Sequence, residues 1–550
     1  MPDSSDLESQ LSSTDHPFRP IARLLLALAV FVPSAFAQTG LSNTWRSIGP
    51  WGGDARSFAA VPGSPEHLYL GGIANWVFES TDGGRNWARK GHIGPANDPG
   101  DLMVDSLLVD AGDRRTLFAG VHRSYNTEGG LYKSTDDGST WTVISALQDK
   151  SVRSLAQSPS DPSILVVGAL DGIFRSHDSG QSWERISPPP SDPLSREIHE
   201  VESLAIDPKK PDTIYAGTWH LPWKTTDGGK HWRNIKQGVI DDSDVFSIII
   251  DPERPATVYA SACSGIYKSE DAGVLFHKIQ GIPSTARRTR VLMQDAKHRE
   301  VVYAGTTEGL YRTRDAGREW QRITDANVIV NDIYIDPTHS GRILIATDRG
   351  GVLVSDNNGA TFAQSNEGFS ARKVEALVAD SRDPNRILAG IVNDKSYGGA
   401  FLTTDAGQSW TQIADGLEGR DVFTFAQAKD GTILAGTNHG IFALQGDPAT
   451  GDAFTHSHWV MRSTIVNFGT KITTEMVNGR KISRLENIKI PARALSSRVY
   501  SFDLSTDLWA VASAEGVYTS KDKGETWQGG LVLGSPDFRS IASYKGEILV

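Results

Sequence analysis

Short stretches of alternating apolar and polar residues recur along most of the chain, separated by turns rich in Asp-Pro and Gly. One clean period reads Glu-Ser-Leu-Ala-Ile-Asp-Pro from Glu202 and Thr-Ile-Tyr-Ala-Gly-Thr from Thr213. A hydrophobic period of two with β-branched and aromatic residues predicts half-buried strands rather than helices. Each period holds four such strands, so we expect an all-β protein built from repeated antiparallel sheets.

An octapeptide joins the third and fourth strands of most periods. Its pattern is Ser/Thr-x-Asp-x-Gly-x-x-Trp/Phe, and its first copy spans Ser80–Trp87. The Asp can accept hydrogen bonds from turn amides, the Gly supplies a positive φ, and the aromatic residue begins the fourth strand. We therefore predict a structural role for the third residue of nine copies: Asp82, Asp136, Asp178, Asp227, Asp271, Asp315, Asn357, Asp405 and Asp522.

Successive copies lie about 42 to 54 residues apart up to Asp405, the length of one propeller blade. These motifs resemble the Asp-box, or bacterial neuraminidase repeat, β-propellers. That superfamily includes sialidases, xyloglucanases, the sortilin ectodomain and photosystem II assembly-factor propellers. The resemblance extends from about Thr44 to the end and implies ten four-stranded blades plus part of another. They could form one large ring or two consecutive propellers, and we favour two because larger single rings are rare.

The repeat is interrupted between Asp405 and Asp522. Residues 421–444 supply three strands, and 445–497 read as an irregular insert or a seam. We therefore divide the chain into four parts: a leader and signal peptide (1–37), a first propeller region (38–444), the insert (445–497) and further blades (498–550).

Both ends of the repeat array bear on ring closure. Trp45-Arg-Ser-Ile48 matches the fourth strand of a blade whose other strands are absent from the N-terminus, so we expect it to complete the last blade. The last blade is incomplete at Val550, or the natural chain continues beyond it.

The N-terminus has the pattern of an export signal. Arg19 and Arg23 precede an apolar run from Leu24 to Val32, followed by Ala-Phe-Ala. This pattern predicts cleavage before Gln38 and a secreted or periplasmic protein with no membrane span after cleavage.

Composition excludes several classes of protein. The net charge of -11 argues against a broad nucleic-acid surface. A single cysteine, Cys263, rules out an intramolecular disulfide and a cysteine-based zinc cluster.

Functional residues are expected on the face formed by the B–C and D–A loops, opposite the Asp-boxes. Loop residues there could contact a protein or carbohydrate ligand: Trp76, His122, Tyr125, Trp219, His220 and His439. Glycoside hydrolysis needs two carboxylates beside the scissile bond. The candidates for that role are Asp54, Glu197, Glu200, Asp241 and Asp242.

Two further patterns carry residue types that could bind a metal ion or a substrate carboxylate. Glu197-x-His-Glu-x-Glu202 carries hard ligands, but other loops would have to complete a metal site, so we assign no metal and no cofactor. A sialidase needs arginines from several blades to hold a substrate carboxylate. Arg287, Arg288 and Arg290 share one loop, which is more typical of a solvated turn or a partner contact.

Three functions follow from these patterns. The first is a non-catalytic scaffold that binds a protein or a glycan, because no catalytic signature is concentrated in the chain. The alternative is a polysaccharide-active glycoside hydrolase using a carboxylate pair. The second alternative, an assembly factor for a membrane protein complex, is implied by the resemblance alone.

Overall fold

The computed structural model describes residues 47–550 except 96–99, 124–127, 242–243, 280, 287, 447–452, 455, 530–537 and 546. The predicted signal peptide and the candidates Tyr125 and Asp242 lie outside the described residues. Three short 3-10 helices, at Ser145–Leu147, Pro193–Arg196 and Lys395–Tyr397, are the helical elements of the described part. No helix there has the length and apolar character needed to cross a membrane.

The described residues form ten sheets that each contain four consecutive antiparallel strands, A to D in chain order, which confirms the predicted propeller fold. We number these sheets as blades 1 to 10. The strands of blades 1 to 7 are, in order, Ala55–Val61, Ser64–Gly72, Trp76–Ser80 and Ala88–His92; Leu102–Val109, Leu117–Arg123, Gly129–Ser134 and Thr142–Val143; Val152–Gln157, Leu165–Ala169, Gly172–Ser176 and Glu184–Arg185; Val201–Asp207, Lys210–Thr218, Pro222–Thr225 and Arg233–Asn234; Val245–Ile250, Val258–Ala262, Gly265–Ser269 and His277–Ile279; Val291–Gln294, Val302–Thr306, Gly309–Thr313 and Gln321–Arg322; Val330–Ile335, Ile343–Thr347, Gly351–Ser355 and Ala363–Gln364.

Blades 1 to 7 form a closed ring. Each strand A contacts strand A of the next blade, and strand A of blade 7 contacts strand A of blade 1. At this junction the amide of Phe58 donates to Asp332 Oδ2 at 2.8 Å, and Trp87 Nε1 donates to the carbonyl of Ser365 at 2.9 Å. Closure at blade 7 excludes a single ring of ten blades.

The first three residues of strand A, Val201-Glu-Ser203 in blade 4, set the spacing between neighbouring blades, as blades 3 and 4 show. A Cβ on Gly168 in strand B of blade 3 would lie 2.6 Å from a methyl of Val201, so only glycine allows this approach. Ser154 Oγ donates to the carbonyl of Val201 at 3.0 Å. The ladder shifts register between Val201 and Ser203, which marks Glu202 as a β-bulge residue.

Three more blades follow the ring. The strands of blades 8 to 10 are Lys373–Asp380, Asp383–Val392, Gly399–Thr403 and Thr411–Gln412; Val422–Gln427, Ile433–Thr437, Gly440–Gln445 and His458–Met461; Val499–Asp503, Trp509–Ser513, Gly516–Ser520 and Trp527–Gly529. Two short strands, Ala542–Tyr544 and Glu547–Leu549, pair after blade 10. A parallel pair, Gly52–Gly53 with Ser370–Ala371, links the start of the ring to the segment before blade 8.

The segment 445–497 is more regular than its sequence indicated. It supplies strand D of blade 9 and then a long two-stranded ribbon, Thr464–Val477 with Arg480–Ala494. The base of the ribbon pairs in parallel with strand D of blade 10, at Ile465 and Trp527. The domain bounds 38–444, 445–497 and 498–550 stay a prediction; the ring itself ends at residue 364.

The N-terminal segment lies beside blade 8. Trp410 Nε1 donates to the carbonyl of Ile48 at 2.6 Å. A Cβ on Gly407 would meet the Ile48 side chain, just as one on Gly317 would meet Ile279 in strand D of blade 5. Ile48 thus occupies the place of a strand D residue next to blade 8, and we propose that blades 8 to 10 belong to a second propeller.

Candidate functional site

In six of the seven blades a bulge at the start of strand A turns one side chain toward the axis of the ring. Register shifts mark this position in blades 1 to 5 and in blade 7. The strand A starts lie on the B–C and D–A loop face, opposite the Asp-boxes. A cavity of about 280 Å³ there is lined by residues of all seven blades: Arg56, Asp105, Arg153, Glu202, Phe246, Arg288, Arg290 and Asn331.

Asp105 is held between a histidine and an arginine. His122 Nε2 lies 2.6 Å from Asp105 Oδ2, and Arg56 Nη1 lies 3.9 Å from Asp105 Oδ1. Burial alone would raise the pKa of Asp105, but the His122 hydrogen bond and the charge of Arg56 hold that pKa well below its usual range. Asp105 is therefore an ionised carboxylate at neutral pH.

Glu202 has the opposite electrostatic environment. Its carboxylate accepts a hydrogen bond from Arg153 Nη1. Burial raises the pKa of Glu202 above its usual value, although the charge of Arg153 opposes that rise. The two carboxylates that line the cavity thus have pKa values shifted in opposite directions, the arrangement that separates an acid from a base.

Asp54 lies behind the cavity wall. It is 7% exposed and accepts hydrogen bonds from Arg56 Nη2 at 2.7 Å and from Asn331 Nδ2 at 3.2 Å. Burial raises the pKa of Asp54 to about 7, with a further contribution from the carboxylate of Asp348. Arg290 Nη1 donates to Asn331 Oδ1, which connects blade 6 to this network.

The carboxylates predicted to be catalytic do not meet at one site. Asp54 adjoins the cavity, whereas Glu197 lies in a separate cluster, where His220 Nδ1 is 3.3 Å from its carboxylate. The carbonyl of Glu200 accepts the amide of Trp219 at 3.1 Å in this second cluster. Asp241 is exposed and pairs with Lys236 at 2.9 Å.

The candidate ligand-binding residues are also dispersed. His122 contacts Asp105, and Asp105 in turn lines the cavity. Trp76 packs against His92 and under Arg89 in blade 1, and the exposed Trp219 is in the Glu197 cluster. His439 lies in blade 9, where its Nδ1 is 2.9 Å from the carbonyl of Ser496.

Sequence reasoning missed most of the cavity wall. The signal was the middle residue of the strand A motif, which reads Ala55-Arg-Ser, Val104-Asp-Ser, Val152-Arg-Ser, Val201-Glu-Ser, Val245-Phe-Ser and Val330-Asn-Asp. Arginines of different blades also meet here, because Arg290 joins Arg56 and Arg153. The sequence indicated a solvated turn or a partner contact for this loop; Arg288 is exposed and Arg290 half-buried, and both line the cavity.

No group of three or more His, Cys, Asp or Glu side chains among the described residues is arranged to hold a metal ion.

Comparisons with known proteins find a similar architecture in GH74 enzymes. An ancestral GH74 enzyme has a TM-score of 0.65 and 16% sequence identity, with 92% of this chain and 81% of that chain covered. The GH74 xyloglucanase from Xanthomonas campestris has a TM-score of 0.53 and 16% identity, covering 90% of this chain and 89% of that one. These similarities show a shared fold.

The sequence comparison also finds a xyloglucanase. A xyloglucanase of a Paenibacillus species is 27% identical over 172 residues, a match covering 24% of this chain and 16% of that enzyme. The chain thus spans less than a fifth of that curated relative. The family model described as sortilin, neurotensin receptor 3, matches residues 129–239 and 308–483, slightly more than half of the chain. The chain therefore belongs to the Sortilin-Vps10 family.

Proposed function

We propose that the chain is an exported, polysaccharide-active glycoside hydrolase whose active site is the axial cavity of blades 1 to 7. The observation that carries this proposal is that Asp105 and Glu202 share one cavity and have pKa values displaced in opposite directions. The xyloglucanase relatives favour this function over a non-catalytic scaffold. The predicted signal peptide supports export.

The two carboxylates take complementary roles in this proposal. Glu202, whose pKa is raised by burial, donates its proton to the glycosidic oxygen as the bond to the leaving sugar breaks. Asp105 is ionised and lies ready to stabilise the sugar cation or to attack the anomeric carbon, directly or through a water from which it takes a proton. His122 positions Asp105, since its ring nitrogen is within hydrogen-bonding distance of the carboxylate. Phe246 offers an apolar face to a sugar ring.

The first test is release of reducing ends from a panel of polysaccharides by the purified chain. For any polymer cleaved, Glu202→Gln and Asp105→Asn should each lower kcat by about 10²- to 10⁴-fold, because each removes one proton-transfer or charge-stabilising group. The matched control is Glu197→Gln, a carboxylate on the same face but outside the cavity, which should change kcat less than about twofold.

Folding of each variant is checked by its melting temperature. Absence of cleavage by the folded chain on every polymer would overturn the hydrolase proposal and leave a binding scaffold. Equal losses in Glu197→Gln and Glu202→Gln would move the site away from the cavity.

A further inference from the structure

The charges of the axial cavity are unbalanced. Four arginines line it, from blades 1, 3 and 6, against the two carboxylates Asp105 and Glu202. Asp54, Asp105 and Glu202 compensate the charges of Arg56 and Arg153, whereas Arg288 and Arg290 form no ion pair among the described residues. Uncompensated positive charge in a concave site concentrates ligands of the opposite sign.

Donor groups of the arginines are also left over. Arg56 and Arg153 each use an Nη atom on a carboxylate, but their Nε atoms are buried without a hydrogen-bond partner among the described residues. Arg288 is exposed at the cavity and makes no ion pair within the described part of the chain. A guanidinium that faces a cavity without an ion pair is free to bind an anionic group, so Arg288 points to an acceptor supplied by the ligand.

The kind of acceptor follows from the chemistry of arginine. A planar guanidinium presents parallel N–H groups that match the two oxygens of a carboxylate. Asn331 and Phe246 add an amide and an aromatic face, groups that suit sugar hydroxyls and a sugar ring. A neutral glycan would offer Arg288 and Arg290 only hydroxyl partners and would leave their charges without a counterion.

We propose that the axial cavity recognises a carboxylate-bearing sugar, so that the ligand of this chain is an acidic, uronate-type polysaccharide rather than a neutral one. This inference deepens the proposed function and rests on it for the location of the site. The guanidinium groups of Arg153 and Arg288 bind the sugar carboxylate, and Arg56 and Arg290 contribute from the neighbouring wall.

The experiment compares one oligosaccharide in two forms. Binding of an oligogalacturonate and of its methyl ester is measured by calorimetry, because esterification removes the charge and leaves the sugar backbone intact. The free acid should bind at least about tenfold more tightly than the ester, with an affinity that falls as salt rises. Cleavage is followed in the same samples by chromatography.

Variants separate the cavity from general charge effects. Arg288→Gln and Arg153→Gln should each weaken binding of the free acid at least about tenfold and change binding of the ester less than twofold. Arg288 has no partner among the described residues, so its substitution tests the proposal even if Arg153→Gln fails to fold. The matched control is Arg115→Gln, an exposed arginine paired with Asp137 beside the Asp-box of blade 2, which should leave both affinities unchanged.

The outcomes distinguish the two proposals. Tight binding of the acid, with no cleavage of it or of any polymer in the panel, supports this inference and overturns the hydrolase. Cleavage of a neutral polymer, with equal binding of acid and ester, supports the hydrolase and overturns this inference. Loss of acid binding in Arg115→Gln as large as that in Arg288→Gln would also overturn it.

Discussion

The Asp-box aspartate stabilises its turn through several hydrogen bonds made by one side chain. Asp136 Oδ1 accepts from the amide of Thr140 at 2.9 Å and from Ser134 Oγ at 2.8 Å, and Oδ2 accepts from Thr140 Oγ1 at 2.7 Å. Gly138 follows with a φ of 81°. The hydrogen bonds from Thr140 lower the pKa of Asp136 to about 2. The carboxylate thus organises the turn and has no protonation change near neutral pH.

Removing this carboxylate should destabilise blade 2. We expect Asp136→Ala to lower the free energy of unfolding by about 1 to 2 kcal/mol, because it leaves amide and hydroxyl donors without their acceptor. Asp136→Asn should cost less than half of that, since Asn357 in blade 7 accepts the amide of Thr361 at 3.0 Å in the same way. Thermal unfolding at pH 7 measures both; equal losses in the two variants would contradict the mechanism.

The same residue predicts acid sensitivity. The folded pKa of about 2 lies below the unfolded value of about 3.9. The stabilisation is therefore complete above pH 4 and is lost as pH falls from about 4 to about 2. The difference in melting temperature between the wild type and Asp136→Ala should shrink over that range. A difference that stays constant down to pH 2 would exclude the ionised carboxylate as its source.

At the scale of elements, the ribbon after blade 9 contains a turn sequence that predicts a hairpin independently of the Asp-box repeat. Asn478-Gly479 lies between the paired residues Val477 and Arg480, with φ values of 50° and 76°. Such a dipeptide between alternating stretches is a strong hairpin signal. The ribbon does not follow the blade period, so the Asp-box pattern gives no sign of it. Apolar residues of one ribbon face are exposed: Phe468, Ile472, Met476 and Leu485.

Shortening the ribbon should leave the blades stable. Residues 470–475 pair with residues 482–487, so deleting both segments removes matched lengths and keeps each remaining side chain on its face. We expect the free energy of unfolding to change by less than about 1 kcal/mol, because the ribbon's buried residues lie at its base. Deleting 470–475 alone should lower the melting temperature more, since it breaks the pairing. A large loss for the matched deletion would show that the ribbon supports the blades.

At the scale of the whole molecule, ring closure depends on a contact between residues far apart in sequence. Asp332 in blade 7 accepts the amide of Phe58 in blade 1, and Leu344 and Phe369 pack with Leu68 and Phe78 across the junction. Burial raises the pKa of Asp332 to about 6. The junction between blades 7 and 1 therefore combines packed apolar side chains with one buried acceptor, Asp332, whose ionisation is disfavoured by burial.

Substitution of Asp332 tests that acceptor. Asp332→Ala should lower the free energy of unfolding by about 1 to 3 kcal/mol, because the amide of Phe58 loses its partner. Asp332→Asn should retain most of the stability, since its amide oxygen can accept the same hydrogen bond. Equal losses for the two variants in thermal unfolding would show that the hydrogen bond does not carry the effect.

The stabilisation by the Asp332–Phe58 hydrogen bond changes with pH in the opposite direction to that by the Asp-box carboxylate. The folded pKa of about 6 lies above the unfolded value, so the contribution of Asp332 to stability is greatest below about pH 4 and falls as pH rises through 6. Asp332→Asn lacks this dependence. Its melting temperature relative to the wild type should therefore rise between pH 4 and pH 7; a flat difference would contradict burial of the ionised form.

The sequence by itself determined the repeated unit of this protein. Asp-box turns, alternating strands and the strand B glycines act through neighbours within a blade or in the next one, and local patterns encode such contacts directly. The count of ten blades followed from them. Tertiary structure decided what those patterns could not: closure after seven blades, and a cavity assembled from Arg56, Asp105, Arg153 and Glu202. Ring closure joins residues more than 270 positions apart, through contacts such as that of Phe58 with Asp332. The axial side chain comes from the bulged position in blades 1 to 5 and 7, and from Arg288 and Arg290 just before strand A in blade 6. These residues are far apart in sequence, and only the ring brings their charges together.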